Sequence, residues 1–369
     1  MAPSKRKTFY SGGGSPGSSF RASNLNYRPN PGVQSDRGIG TKPTTSPSSI
    51  GLIMTTMLLH VCKKSLLFDT SVKVGIYFLG IVLISGTAEA YPPPKTYFAR
   101  SDNVFNRFFV KWSWAWLLSV IVPWLLLTSQ TIGCGRRSVT IKHVLRIMIA
   151  TFMWLVCTKW FTYIENTYGR CMNTKDLTLQ TKSSCLKAGK FWRGFDISGH
   201  SFILIYASLI LAEEGAALVG WEGINDIMVK EEYSRNMAEK CSGALSKLTD
   251  TELSILKKNY RLFSPYIRGL FVGMTLQQIL WDVMLVSTML YYHSMAEKFI
   301  GGAFAVLVWF FTYRWLFKIC LMSPGEGIFK YNVASSTKRG TLNGSTQRFN
   351  CFMGIPTNIA ALYRRNSRR

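Results

Sequence analysis

Two histidines carry most of the chemistry this sequence offers. His200 follows Ser198-Gly199 and stands four residues after Asp196, while His293 is followed four residues later by Glu297. An imidazole of ordinary pKa, ~6.5, attacks as a nucleophile when neutral and donates a proton when charged, so a pair divides those roles within one reaction. Glu297 falls on the same helical face as His293 if the helix runs on, where a carboxylate fixes the imidazole tautomer. The partners of His200 suit an anion: Gly199 permits close backbone approach, and the first free N–H groups of a helix opening there hold negative charge. Lys111, Lys159 and Arg193 are the candidate phosphate contacts. Their plainer reading is that they extend toward lipid headgroups. For either histidine alone the plain reading is an interfacial helix cap. The chemistry therefore depends on whether the fold brings together two residues 93 positions apart.

The elements that must do so are apolar blocks at about 68–88, 108–128, 144–164, 200–220, 270–291 and 299–321. Each is close to the ~20 residues needed to cross ~30 Å of hydrocarbon, so the expected fold is all-α, a polytopic membrane protein with about six transmembrane helices. Block four leaves one membrane face and block five returns to it. His200 opens block four and His293 closes block five, so they share one depth on one face whichever way the bundle is inserted. Trp112, Trp114, Trp116, Trp160 and Tyr163 lie toward block ends and read as an aromatic belt. Pro92-Pro93-Pro94 ends the first hairpin. Residues 50–62 are apolar but short and end at Lys63-Lys64, which favours an interfacial or re-entrant helix over a span.

The formal net charge is +25. No nucleic-acid module accompanies it and the basic residues flank apolar blocks, so topology and anionic lipid account for it and no nucleic-acid partner is expected. Mean hydropathy is only +0.11 because both ends of the chain are polar. Residues 1–49 are rich in Ser, Gly and Pro, with seven Lys/Arg against one acid, and are expected to be a disordered basic tail. Residues 50–322 form the membrane domain and 323–369 a second basic tail. The two tails hold fifteen Lys/Arg against two acids, which places both in the cytosol and the loops 89–107, 165–199 and 292–298 in the lumen. The 165–199 loop, with six Lys/Arg against three acids, argues mildly the other way. Glycosylation of the Asn343-Gly344-Ser345 sequon would invert this orientation. Cys171 and Cys185 stand together in the 165–199 loop. If that loop faces an oxidising lumen, a disulfide closing it contributes roughly 3 kcal/mol. The eight cysteines form no C-x-x-C pair and there are four histidines, so neither a metal nor another cofactor is expected.

Ser198-Gly199-His200, with His293 and a carboxylate four residues on, resembles the lipid phosphate phosphatase superfamily. There a Ser-Gly-His histidine protonates the leaving group and a histidine in a Ser-Arg-x5-His-x3-Asp pattern attacks phosphorus. The sequence departs from that pattern at Ser287, where the arginine would stand, and at Glu297 in place of Asp. It also lacks a Lys-x6-Arg-Pro element before block four, so its phosphate contacts must differ. The closer resemblance is to the fat storage-inducing transmembrane family. It is carried by the run from Phe191 to Phe202 (Phe-Trp-Arg-Gly-Phe-Asp-Ile-Ser-Gly-His-Ser-Phe) and by Glu213-Glu214. Phe109-Val110-Lys111-Trp112, Trp114-Ala115-Trp116, Ile164-Glu165, Tyr292-His293 and Ser323-Pro324-Gly325 add to it.

That resemblance implies a lipid-phosphatase-like bundle in the endoplasmic reticulum membrane, needed for lipid droplet formation. It also implies an acyl-coenzyme A diphosphatase that yields acyl 4′-phosphopantetheine and adenosine 3′,5′-bisphosphate. Fatty acyl-CoA would be the substrate, with diacylglycerol and triacylglycerol as further lipid partners. His293 would attack phosphorus, His200 would protonate the leaving phosphate and Glu297 would orient His293. Two rivals stand beside this reading: a phosphatidic or lysophosphatidic acid phosphatase using the same histidines, and a non-enzymatic bundle that binds neutral lipid. Glu213 and Glu214 lie about 20 Å along the helix from His200 and cannot share its site. Asp282 is expected to pair with a polar group such as Gln277 or Gln278.

Overall fold

The computed structural model describes residues 50–172, 181–237 and 243–331, together with the backbone of two short strands, Cys351–Phe352 and Ile355–Pro356. The expected disordered segment 1–49, most of the second tail and the Asn343 sequon lie outside the described residues.

Six helices are long and apolar enough to cross a membrane: Thr70–Ala90, Ser113–Ile132, Arg137–Tyr168, Gly199–Asn236, Asp250–Tyr291 and Met295–Cys320. A shorter helix, α1 (Ile50–Leu66), precedes them. We number the rest α2 (Thr70–Ala90), α3 (Ser113–Ile132), α4 (Arg137–Tyr168), α5 (Lys182–Lys187), α6 (Gly199–Gly215), α7 (Gly223–Asn236), α8 (Asp250–Tyr291) and α9 (Met295–Trp309). Beyond α9 the helix widens into a π-turn, Phe310–Leu316, before ending at Cys320. Helix α1 lays Leu59, Cys62 and Leu66 against the bundle and leaves its other face exposed. Leu66 reaches Gly215 at the end of α6, where a Cβ would stand 2.9 Å from its side chain.

Helix α6 is apolar on every side, and an all-round apolar helix belongs at the centre of a bundle. All residues from Ser201 to Ala212 are buried. Helices α2, α3, α4, α8 and α9 surround it, with α9 the most closely engaged. Between helices in lipid there is little hydrophobic drive, so small residues that admit close approach do much of the work. Gly301 is the sharpest instance, because a Cβ there would stand 2.5 Å from the Ser198 carbonyl oxygen. Trp114 does not join the aromatic belt. It is buried and stacks on Trp154 at 5.0 Å and Tyr206 at 5.9 Å, whereas Trp112, Trp116, Trp160 and Tyr163 are exposed as expected. Periodicity alone did not separate these neighbours; Trp114 lies two residues from Trp112 and so points to the opposite side of α3.

Helix α8 starts well before the apolar block that announced it. Thr249 and Glu252 form a capping box, and Leu253, Leu256, Tyr260 and Ile267 carry a buried stripe through residues that precede the apolar block 270–291. Asp282 accepts from Tyr77 Oη at 2.7 Å and from Gln278 Nε2 at 2.9 Å, its predicted kind of partner.

In the half of the bundle away from His200 and His293, Arg146 and Glu214 form a fully buried ion pair at 2.5 Å. Tyr313 donates to the same carboxylate at 2.9 Å, and Arg146 also donates to the Met322 carbonyl at 2.8 Å. His143 lies between Arg146 and the Glu326 carbonyl, 2.8 and 2.9 Å away. Since Arg146 can only donate, Nδ1 of His143 accepts and Nε2–H donates to the carbonyl. These bonds draw residues 322–331 back onto the bundle, where Phe329 and Tyr331 are buried.

Glu214→Ala leaves the Arg146 charge unpaired inside the bundle and should destabilise the protein by about 3–5 kcal/mol, whereas Arg146→Met combined with Glu214→Leu should recover most of the loss. Thermal unfolding of detergent-purified protein measures both; an unchanged Tm in Glu214→Ala would contradict the assignment.

Candidate active site

The turn between α8 and α9 sets the site. Helix α8 ends at Tyr291 and α9 begins at Met295, so only Tyr292, His293 and Ser294 reverse the chain. His293 sits in the left-handed region at φ 54°, one of two non-glycine residues with positive φ among those described. Such a conformation costs of order 1 kcal/mol or more and persists only where its surroundings impose it. The imposing groups are visible. Ser294 caps α9, accepting from the Glu297 N–H, while Glu297 Oε2 accepts from the Ser294 N–H at 2.9 Å. Lys298, buried, donates to the Met289 carbonyl at 2.8 Å and so closes the end of α8.

Glu297 therefore reaches His293 by a route other than the expected one. The helix does not continue through His293, and the four-residue spacing works because a capping box folds the carboxylate back over the turn. His293 Nδ1 stands 3.7 Å from Glu297 Oε2 and 3.6 Å from Asp196 Oδ2. Both are ion-pair distances, longer than a hydrogen bond. Asp196 is held by its own N–H, which donates to Glu297 Oε1 at 3.3 Å. Partial burial raises the Asp196 carboxyl above the usual carboxylate range; His293 opposes that rise and the charges of Glu165 and Glu297 add to it.

His200 stands in the first turn of α6. Ser198 caps that helix by accepting from the Ser201 N–H, and its own N–H donates to the Glu297 carbonyl at 3.2 Å. The two elements bearing the histidines are thus tied backbone to backbone. The imidazole centres lie 6.2 Å apart. Tyr292 stacks on His200 at 5.8 Å, with ring planes 8° apart. His200 Nε2 is 2.8 Å from Asn106 Oδ1. Asn106 donates its amide to the Ser101 carbonyl, so its oxygen accepts from His200 and the tautomer with Nε2 protonated is favoured. Nδ1 of His200 is then left to exchange a proton.

The basic candidates separate. Lys111 is exposed at the end of the turn Phe105–Val110 that carries Asn106, and its N–H donates to the Asn106 carbonyl at 3.0 Å. Arg193 is exposed in a two-stranded sheet, β1 (Arg170–Cys171) with β2 (Trp192–Arg193), opposite Arg170. Lys159 is exposed on α4, two residues from the Phe161 ring that packs on Phe202 of α6; that offset turns it away from the bundle centre. No contact joins Lys159 or Arg193 to either histidine among the described residues. The sheet belongs to a roof over the same membrane face. Cys171 and Cys185 form a disulfide there, Lys182 pairs with Glu165, and Trp192 Nε1 donates to the Glu165 carbonyl at 3.3 Å.

Asn106, Tyr292 and Lys298 complete the site, and none was singled out as a site residue from sequence. Asn106 and Asn103 are buried although they lie in a loop before a span, where two buried amides signal a specific hydrogen-bond task. Asn106 occupies a π-turn, Phe105–Val110, a distortion that recurs at functional sites. No groups of three or more His, Cys, Asp or Glu suited to a metal occur among the described residues.

Residues 94–313 match the family model described as fat storage-inducing transmembrane protein. Among curated proteins, the acyl-coenzyme A diphosphatase FITM2 of Drosophila melanogaster is 45% identical over 338 residues, covering 90% of this chain and 79% of that protein. The Xenopus tropicalis protein of the same name is 30% identical, covering 67% and 83%, and the Homo sapiens one 27%, covering 64% and 79%. No solved structure matches. With a six-helix bundle, the Ser198-Gly199-His200 cap facing His293, and a match over most of the membrane domain, the chain belongs to the fat storage-inducing transmembrane protein family.

Proposed function

We propose that this protein is an acyl-CoA diphosphatase of the endoplasmic reticulum membrane, acting at the face that carries His200 and His293. It hydrolyses the CoA pyrophosphate to acyl 4′-phosphopantetheine and adenosine 3′,5′-bisphosphate. The observation that supports this most directly is the pair of imidazoles 6.2 Å apart, one beside two carboxylates and the other on a neutral amide. That spacing accommodates a phosphoryl group between the rings, and the unlike neighbours assign them unlike roles.

His293 is the nucleophile. With its Nδ1–H directed at Asp196 and Glu297, the Nε2 lone pair attacks phosphorus, an N–P bond forms and the bridging P–O bond breaks. His200, protonated on Nδ1, gives that proton to the departing phosphate oxygen. A water molecule then loses its proton to His200 while its oxygen displaces His293 from phosphorus, so one water is consumed and both imidazoles are restored. Lys111 supplies positive charge where negative charge develops, the largest contribution in phosphoryl transfer.

The acyl chain lies among the helices. A cavity of about 420 Å³ between α2 and α8, lined by Ile76, Gly80, Ile84 and Leu285, extends to Met289, one turn before the α8–α9 reversal. The Cys171–Cys185 disulfide supports a lumenal histidine face, since such bonds persist in oxidising compartments, and six spans then leave both termini cytosolic.

His200→Ala and His293→Ala should each lower kcat for acyl-CoA by about 10³-fold or more, and Asn106→Ala by about tenfold, the worth of one hydrogen bond. Purified protein assayed by product mass spectrometry decides this; wild-type turnover in both histidine variants, or preferential hydrolysis of phosphatidic acid, would sink the reading. In sealed microsomes an impermeant thiol reagent should reach Cys171 and Cys185 only after permeabilisation and reduction. Labelling of reduced, intact vesicles would reverse the orientation.

A further inference from the structure

The loop between α2 and α3 builds an open groove of about 780 Å³ that the mechanism above leaves unused. Its walls include Pro92, Pro93, Lys95, Tyr97, Arg100 and Tyr291. The prolines stiffen one wall. The other is fixed by hydrogen bonds: Thr96 Oγ1 donates to Tyr291 Oη at 3.0 Å, and the Val104 N–H donates to Tyr97 Oη, also at 3.0 Å. Neither Lys95 nor Arg100 has an ion-pair partner among the described residues. The groove thus pairs two uncommitted cations with exposed tyrosine ring surface. That combination suits a purine nucleotide carrying a phosphate monoester: ring stacking for the base and charge-assisted hydrogen bonds for the phosphate.

Its place relative to the histidines is fixed by one residue. Tyr292 Oη hydrogen-bonds at 2.8 Å to the carbonyls of both Phe98 and Arg100, while its ring lies on His200. Tyr291 lines the groove and His293 stands two residues further on, a separation of at most ~7 Å between Cα atoms. A molecule whose pyrophosphate lies between the imidazoles can therefore extend its nucleotide end directly into the groove.

We propose that this groove seats the adenosine 3′-phosphate end of CoA, with Lys95 and Arg100 holding the 3′-phosphate, and that it sets the preference of the enzyme for CoA over other pyrophosphates. The proposal rests on the diphosphatase reading above. Lys95 and Arg100 are specificity residues here and take no part in the bond-breaking step.

The test compares two substrates, an acyl-CoA and its 3′-dephospho analogue, which share the thioester and the pyrophosphate. Wild-type enzyme should favour acyl-CoA in kcat/KM by on the order of tenfold to a hundredfold, the worth of one or two charge-assisted hydrogen bonds. In Lys95→Ala/Arg100→Ala that preference should vanish through a rise in KM for acyl-CoA, while hydrolysis of the dephospho analogue stays within about threefold of wild type. The pair Lys187→Ala/Lys190→Ala, on the same membrane face, should keep the preference and so separates a specific site from general positive charge. Equal use of both substrates by the wild type, or an equal loss on both in the groove variant, would overturn the proposal while leaving the diphosphatase reading intact. Hydrolysis of neither substrate by the wild type would overturn both.

Discussion

At Gly301 the backbone of α9 comes so near the Ser198 carbonyl that no side chain fits between them. Two further links depend on that approach: the Ser198 N–H bonded to the Glu297 carbonyl, and the Asp196 N–H bonded to the Glu297 carboxylate. One helix start is thereby clamped to another, and each start presents a histidine. Helices that meet through backbone and small residues leave little room to slide, so the imidazole separation is set by the packing of α6 on α9 and needs no bound substrate. Glu297 has three tasks in this arrangement. It caps α9, holds Asp196 and faces His293, which makes a replacement at this position structural as well as chemical.

The pairing of His200 with His293 was legible in the sequence because it follows from parity: an odd number of crossings between two loops always changes faces, and an even number never does. Helix type and span positions followed from block length for the same reason, since hydrocarbon thickness leaves little choice. What escaped was whatever depends on a reversal of the chain or on side-chain direction. The identity of Glu297 as the partner of His293 was readable; its route through a capping box was not, because it required knowing that the helix stops at Tyr291. Asn106 was hidden for a related cause. Its value lies in facing a residue nearly a hundred positions away, and loop residues carry no periodicity that would announce such a contact. The early start of α8 was concealed by charged residues on its outer side, which lowered the hydropathy of a stretch whose inner side is apolar.

Charge is distributed unevenly along the bundle. Around His293 the carboxylates of Asp196 and Glu297 are partly exposed and stand beyond hydrogen-bond range of the imidazole. In the other half, Arg146, Glu214, Tyr313 and His143 are buried and bonded, and they hold the segment 322–331 in place. A fully satisfied network of that kind rigidifies its surroundings. The bundle is thus pinned where no chemistry is expected and left open to solvent where it is.

The Cys171–Cys185 bond ties α5 to β1 at the end of α4; β1 pairs with the strand at Trp192, which leads within a few residues to Asp196 and the cap of α6. Such a bond forms where thiols are oxidised and not where glutathione keeps them reduced. The helices and the two histidines do not depend on that chemistry, but the roof does: its closure follows the redox state of the compartment that the loop meets.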